Sequence, residues 1–171
     1  MKILIKKIII LLSIFIFCFG IGIVVEAGVN PIVDSAELMT KDEIENLKSV
    51  VEEIRNTYDM DAVIVTANGL DGKTPKDFAD DYYDNNNYGI DSEKSGLLLL
   101  IDMKNRDVYI STSGIAIDYF TDARLDSIIY DVSKYLSNGE YYNGCSVFLT
   151  DIKYYIDKGI PSGQYRKDEG D

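Results

Sequence analysis

The sequence predicts an α/β domain: a three-layer α/β/α arrangement whose small mixed sheet has two parallel strands plus an antiparallel hairpin strand, flanked by about four helices. Three observations predict it. Ala62–Thr66 and Leu97–Ile101 are short, continuously apolar runs, the pattern of strands buried on both faces. A stretch with helical spacing separates them, as a right-handed parallel crossover requires. A third strand-like run, Asp107–Ser111, follows the second after only the polar turn Met103–Arg106, so these two form a hairpin.

The elements follow in order. Lys2, Lys6 and Lys7 form a positive n-region, Ile8 to Val25 is almost wholly apolar, and Val25-Glu26-Ala27 places small residues where a signal peptidase cuts. Residues 1–27 are therefore expected to be a signal peptide, with cleavage leaving Gly28 first. The apolar run also reaches the length that spans a bilayer, so a membrane-retained signal anchor is the alternative. In either case the lysines stay cytoplasmic and the remainder is exported. Cys18 follows the bulky pair Ile16-Phe17 and does not read as a lipid anchor.

Residues 28–158 form the expected domain. Thr40-Lys-Asp-Glu43 is a capping box, and Ile44, Leu47, Val50, Val51, Ile54 and Tyr58 follow at helical spacing, giving a helix over about 41–57. Ala62–Thr66 is the first strand. Asn68-Gly69 and Asp71-Gly72 mark a turn, and Thr74-Pro75 opens a second helix that stops in the run Asn85–Asn87. After the hairpin, Thr112-Ser113-Gly114 breaks the strand pattern. Thr121 caps a helix whose inner face is Leu125, Ile128, Ile129, Val132, Tyr135 and Leu136, ended by Asn138-Gly139. The last helix, about 140–157, buries Tyr141, Cys145, Phe148, Leu149, Ile152 and Ile156, and Gly159-Ile-Pro161 stops it. Residues 159–171 are a polar tail, expected to be disordered.

Composition excludes several functions. The chain has no histidine, which removes Ser-His-Asp and Cys-His catalysis and His-based zinc hydrolases. Cys145 is the one cysteine beyond the leader, so neither an intramolecular disulfide nor a multi-thiolate metal site can form there. Net charge is −12, and −14 once the leader's three Lys and one Glu are removed. Nucleic acid, bound chiefly through cations on phosphate, is not an expected partner. Divalent cations and basic partners are the natural counter-charges.

The hairpin places candidate chemistry. The second strand begins, and the third ends, at one edge of the sheet, so loops 84–95 and 112–120 must be neighbours. That rim gathers Asp84, Asp91, Glu93, Asp118 and Asp122 with Ser95 and Ser113, oxygen-only groups suited to a hard cation such as calcium; plain solvated loops are the alternative. An EF-hand loop starting at Asp84 fails, because Tyr88 stands at the fifth position, where an oxygen ligand is needed, and Ser95 at the twelfth, where a bidentate Glu is needed. The glycines form neither a dinucleotide fingerprint nor a P-loop.

Several segments match a known family. Val33-Asp34-Ser-Ala-Glu-Leu38-Met-Thr40, Gly89-Ile90, Ser95-Gly96 with its leucine strand, Ser113-Gly114, Tyr119-Phe120-Thr121-Asp122-Ala123 and Tyr141-Tyr142-Asn-Gly144 together resemble the TPM domain over about residues 31–157. The resemblance implies an exported or membrane-anchored α/β domain, with members that bind calcium and some that are acid phosphatases. Lys94-Ser95 replaces the family's Asp-Asn before the strand, and the Glu after its Gly-rich turn is missing, Ile115-Ala-Ile-Asp118 standing there instead. The expected ion site is therefore Asp34, Glu93, Asp118 and Asp122, with Ser95 adding an oxygen and Ca2+ the expected ion. The expected role is a cell-envelope accessory or interaction module with an unidentified protein partner. The rivals are a metal-assisted phosphomonoesterase, with Arg124 the one nearby phosphate-holding cation, and a metal-free interaction domain.

Overall fold

A computed structural model describes residues 29–163, so the expected leader over 1–27 and the end of the polar tail lie outside the described residues. Among the described residues four strands and five helices follow one another: β1 (Ile32–Asp34), α1 (Lys41–Tyr58), β2 (Asp61–Ala67), α2 (Pro75–Asn85), β3 (Gly96–Asp102), β4 (Asp107–Ser113), α3 (Ala116–Tyr119), α4 (Asp122–Leu136) and α5 (Tyr141–Asp157). The sheet order is β1-β2-β3-β4, with β1, β2 and β3 parallel and β4 antiparallel to β3. The three-layer α/β/α fold is as expected. None of the described helices is long and apolar enough to cross a membrane.

Local sequence explains most boundaries. Thr40 and Glu43 make the reciprocal capping box at the start of α1, and Asp59 ends that helix in the left-handed region. The Thr74 hydroxyl accepts from the Asp77 N–H, with Pro75 in the first turn of α2. Thr121 occupies the N-cap position of α4 as expected, yet its hydroxyl makes no capping bond.

Strands β2 and β3 are buried along their whole length, and their side chains alternate between two cores. Ile32, Ala62, Ile64, Leu97, Leu99, Ile101 and Ile110 face a large core closed by α1, α4 and α5. Val63, Val65, Leu98 and Leu100 face a smaller one closed by Ala79 and Tyr83 of α2 and by Tyr88. Each buried leucine contributes about 1.5–3 kcal/mol relative to exposure, so the Leu97–Leu100 run stabilises both layers.

Besides the short helix α3 within the segment read as loop 112–120, two features were not expected. Strand β1 extends the parallel set to three; at three residues it is too short to show a period of its own. Two groups of its outer edge are satisfied locally: the Asn30 side chain accepts from the Ile32 N–H, and the Asp34 carbonyl accepts from the Glu37 N–H. Strand β4 also continues to Ser113 rather than stopping at Ser111, because Thr112 and Ser113 pair with Leu97 and Gly96.

Candidate functional site

The β3–β4 hairpin brings the two loops together as expected. The Ser95 hydroxyl accepts from the Ile115 N–H (3.2 Å) and donates to Asp91 Oδ2 (3.0 Å), stitching the loop before β3 to the turn after β4. Gly114 seals the junction at φ +59°, where a Cβ would stand 2.6 Å from Ser95 Oγ and 2.8 Å from the Glu93 carbonyl. Gly96 is equally constrained, since a Cβ there would meet the Tyr83 hydroxyl and the Asp61 carbonyl.

Beneath this junction lies a buried carboxylate that is not part of the expected ion site. Asp61 accepts from the N–H groups of Ala62 and Gly89, and Arg55 Nε stands 3.5 Å from its Oδ1. A buried charge needs such partners, and here they hold the start of loop 89–95 to the sheet. The Tyr83 hydroxyl donates to the Lys94 carbonyl, and burial, then the Asp61 charge, push its pKa well above the ordinary phenol range.

The five expected ligands divide. Asp34 belongs to the other end of the sheet. It pairs with Thr66, five residues along β2 from the rim residue Asp61, a separation of about 16 Å. Its carboxylate is spent locally, accepting from the Leu38 and Met39 N–H groups and from the Thr66 hydroxyl (2.5 Å), so it closes the β1–α1 turn. Ser95 is fully buried with both hydroxyl functions used, which leaves it a fastener rather than a ligand. Glu93 and Asp122 are exposed and Asp118 is half-buried, and none of the three carboxylates has a hydrogen-bond or ion-pair partner among the described residues. Those three remain as rim carboxylates.

They do not form a cage. Among the described residues no three Asp, Glu or Cys side chains converge closely enough to hold a metal ion. The geometry fits a diffuse negative field, not a preformed coordination sphere. Arg124 is also spent. Its Nη1 donates to the carbonyls of Tyr119 (2.7 Å), Gly159 (2.9 Å) and Tyr155 (3.3 Å), and the guanidinium lies 4.9 Å from the Tyr155 ring centroid. It clamps the end of α5 through Nη1. Cys145 is buried, and burial, then the Asp34 charge, raise its thiol to about 12, so it is no nucleophile near neutral pH.

One concave feature adjoins the rim. A polar groove of about 360 Å³ runs along β4, floored by Tyr109 to Ser113, with Asp80 and Asp84 of α2 on one wall and Asp122 and Leu125 of α4 on the other. The Ser111 hydroxyl donates to Asp80 Oδ1 (2.6 Å), and Lys76 pairs with the same carboxylate. Nothing in the sequence separated this groove from ordinary helix surface.

Comparison with known proteins agrees with this architecture. The profile of one family, described as the TPM domain, matches residues 32–155. The chain is 33% identical over 161 residues to UPF0603 protein YdjH of Bacillus subtilis (strain 168), a match that covers 92% of this chain. The chain spans 61% of that relative's length. Among solved structures, the N-terminal domain of a P. gingivalis protein superposes with a TM-score of 0.69 at 21% identity, covering 79% of this chain and 87% of that one. BA42 protein from Bizionia argentinensis gives 0.64 at 16% identity, covering 79% and 90%. At such identities these structures establish the shared fold alone.

Proposed function

The chain belongs to the TPM domain family, and from that premise we propose that it is an exported, cell-envelope binding module rather than a hydrolase. The observation that carries this reading is the rim: Asp84, Glu93, Asp118 and Asp122 surround one edge of the sheet without partners among the described residues, while Arg124 and Cys145 are committed to structure. Such a rim recruits divalent cations such as calcium as a loosely held cloud. Sites of this openness bind at about 10⁻⁴–10⁻³ M, the range of extracellular modules. Export is supported by the three-part leader and by the acidic domain that follows it.

Calcium titration followed by backbone amide shifts tests the reading. The expected result is weak, fast-exchanging shifts in 91–95 and 113–122, reduced in Asp118→Asn/Asp122→Asn. Absence of shifts in both loops at about 10 mM calcium overturns it. Turnover of a generic phosphomonoester that is lost in Asp122→Ala would instead restore the hydrolase reading.

A further inference from the structure

We infer that the open edge of β4 is a docking edge at which an extended, lysine- or arginine-bearing polypeptide segment joins the sheet as an additional strand.

Hydrogen-bond parity carries the argument. The Asp61 N–H donates to the Ser95 carbonyl, and the Met103 N–H donates to the Ala67 carbonyl. Odd-numbered residues of β3 therefore turn their backbone groups toward β2, and even-numbered ones turn toward β4. The hydrogen-bonded pairs across the hairpin are then Gly96 with Ser113, Leu98 with Ser111, Leu100 with Tyr109 and Asp102 with Asp107. Val108, Ile110 and Thr112 point their N–H and C=O groups the other way, out of the sheet. The Val108 N–H is met by the Asp107 carboxylate (2.9 Å). Ile110 and Thr112 have no backbone partner among the described residues.

Those unpaired groups open into the polar groove already described. An unpaired edge running along a groove is the geometry of strand addition: main-chain bonds supply affinity, and side chains at alternate positions meet the two walls. The walls select the partner. On the α2 wall Lys76 stands against Asp80 and Asp84, and Asp122 faces them from α4. Cationic side chains on the incoming strand would neutralise that excess, while a second copy of a chain with net charge −12 would meet like charge.

The test uses the full chain in mild detergent with EDTA present, which keeps it independent of the cation reading. The probe is a blocked peptide of about eight residues alternating Lys and Thr. Its controls replace each Lys by Glu, or methylate the alternate backbone nitrogens that would face β4. Binding is followed by fluorescence anisotropy and by amide exchange. The expected result is that the Lys peptide binds and slows exchange at Ile110 and Thr112. N-methylation should weaken it at least about tenfold, and so should Asp84→Lys/Asp122→Lys, two exposed positions whose loss leaves the core intact. Equal binding of the N-methylated peptide, protection at some other surface, or slow exchange at Ile110 and Thr112 accompanied by a dimer without peptide would each overturn the proposal.

Discussion

Gly114 carries two constraints at once, a left-handed backbone and no space for a Cβ against Ser95. Gly114→Ala should therefore cost about 2–4 kcal/mol in urea unfolding, more than a Gly-to-Ala change where φ is negative. Ser95→Ala should cost about 1–3 kcal/mol, because it strands the buried Ile115 N–H and one oxygen of Asp91. Asp151 gives a pH-dependent case. Its Oδ2 is buried without a partner among the described residues, and burial, then the Asp131 charge, raise its carboxyl from 3.8 to about 6. The folded chain then binds more protons than the unfolded one between those values, so stability falls as pH rises through that window. Asp151→Asn should accordingly stabilise the fold near pH 7 by on the order of 1 kcal/mol, discounted for its partial exposure, and the gain should vanish below about pH 4 in thermal melts. At this scale the sequence marked the right glycines and Ser95 but misassigned the serine's role. A hydroxyl's residue type does not say whether it faces solvent or a neighbouring loop.

Helix α5 depends on a residue from another helix. Arg124 of α4 ties down the carbonyls of Tyr119, Tyr155 and Gly159, so Arg124→Ala should destabilise by about 2–3 kcal/mol and speed amide exchange around Gly159. Arg124→Lys should not rescue it, since an ammonium lacks the planar fork that lies against the Tyr155 ring. Calcium-induced shifts at the rim should survive both changes. Helices α1 and α2 were legible because their caps and apolar spacing are local signals. The two strand errors share one physical cause. β1 and the Thr112-Ser113 end of β4 are legible as strands only through the neighbour that pairs with them: the first is too short to show a period, and the second runs straight into Gly114. Missing β1 also misplaced Asp34, since its position at the far end of the sheet follows from pairing with Thr66.

Taken whole, the sheet was readable where burial dictated it. The two seven-residue strands at its centre, β2 and β3, carry the apolar runs Ala62–Val65 and Leu97–Ile101, and the hairpin correctly implied that loops 84–95 and 112–120 meet. What was not readable is how acidic residues scattered over five segments are distributed in space, which pairing and helix orientation decide. Intact-mass measurement of the exported protein should give a chain beginning at Gly28 if the leader is a signal peptide, and an undiminished mass if it is an anchor. The two margins of the sheet are also unequal. At β1 the Asn30 side chain and the Glu37 N–H occupy outward groups, whereas Ile110 and Thr112 of β4 leave theirs open. Growth of a fibre by edge-to-edge stacking needs two receptive margins on every subunit. A molecule with one blunted margin acts as a chain terminator: whatever pairs with its open side, the assembly stops there.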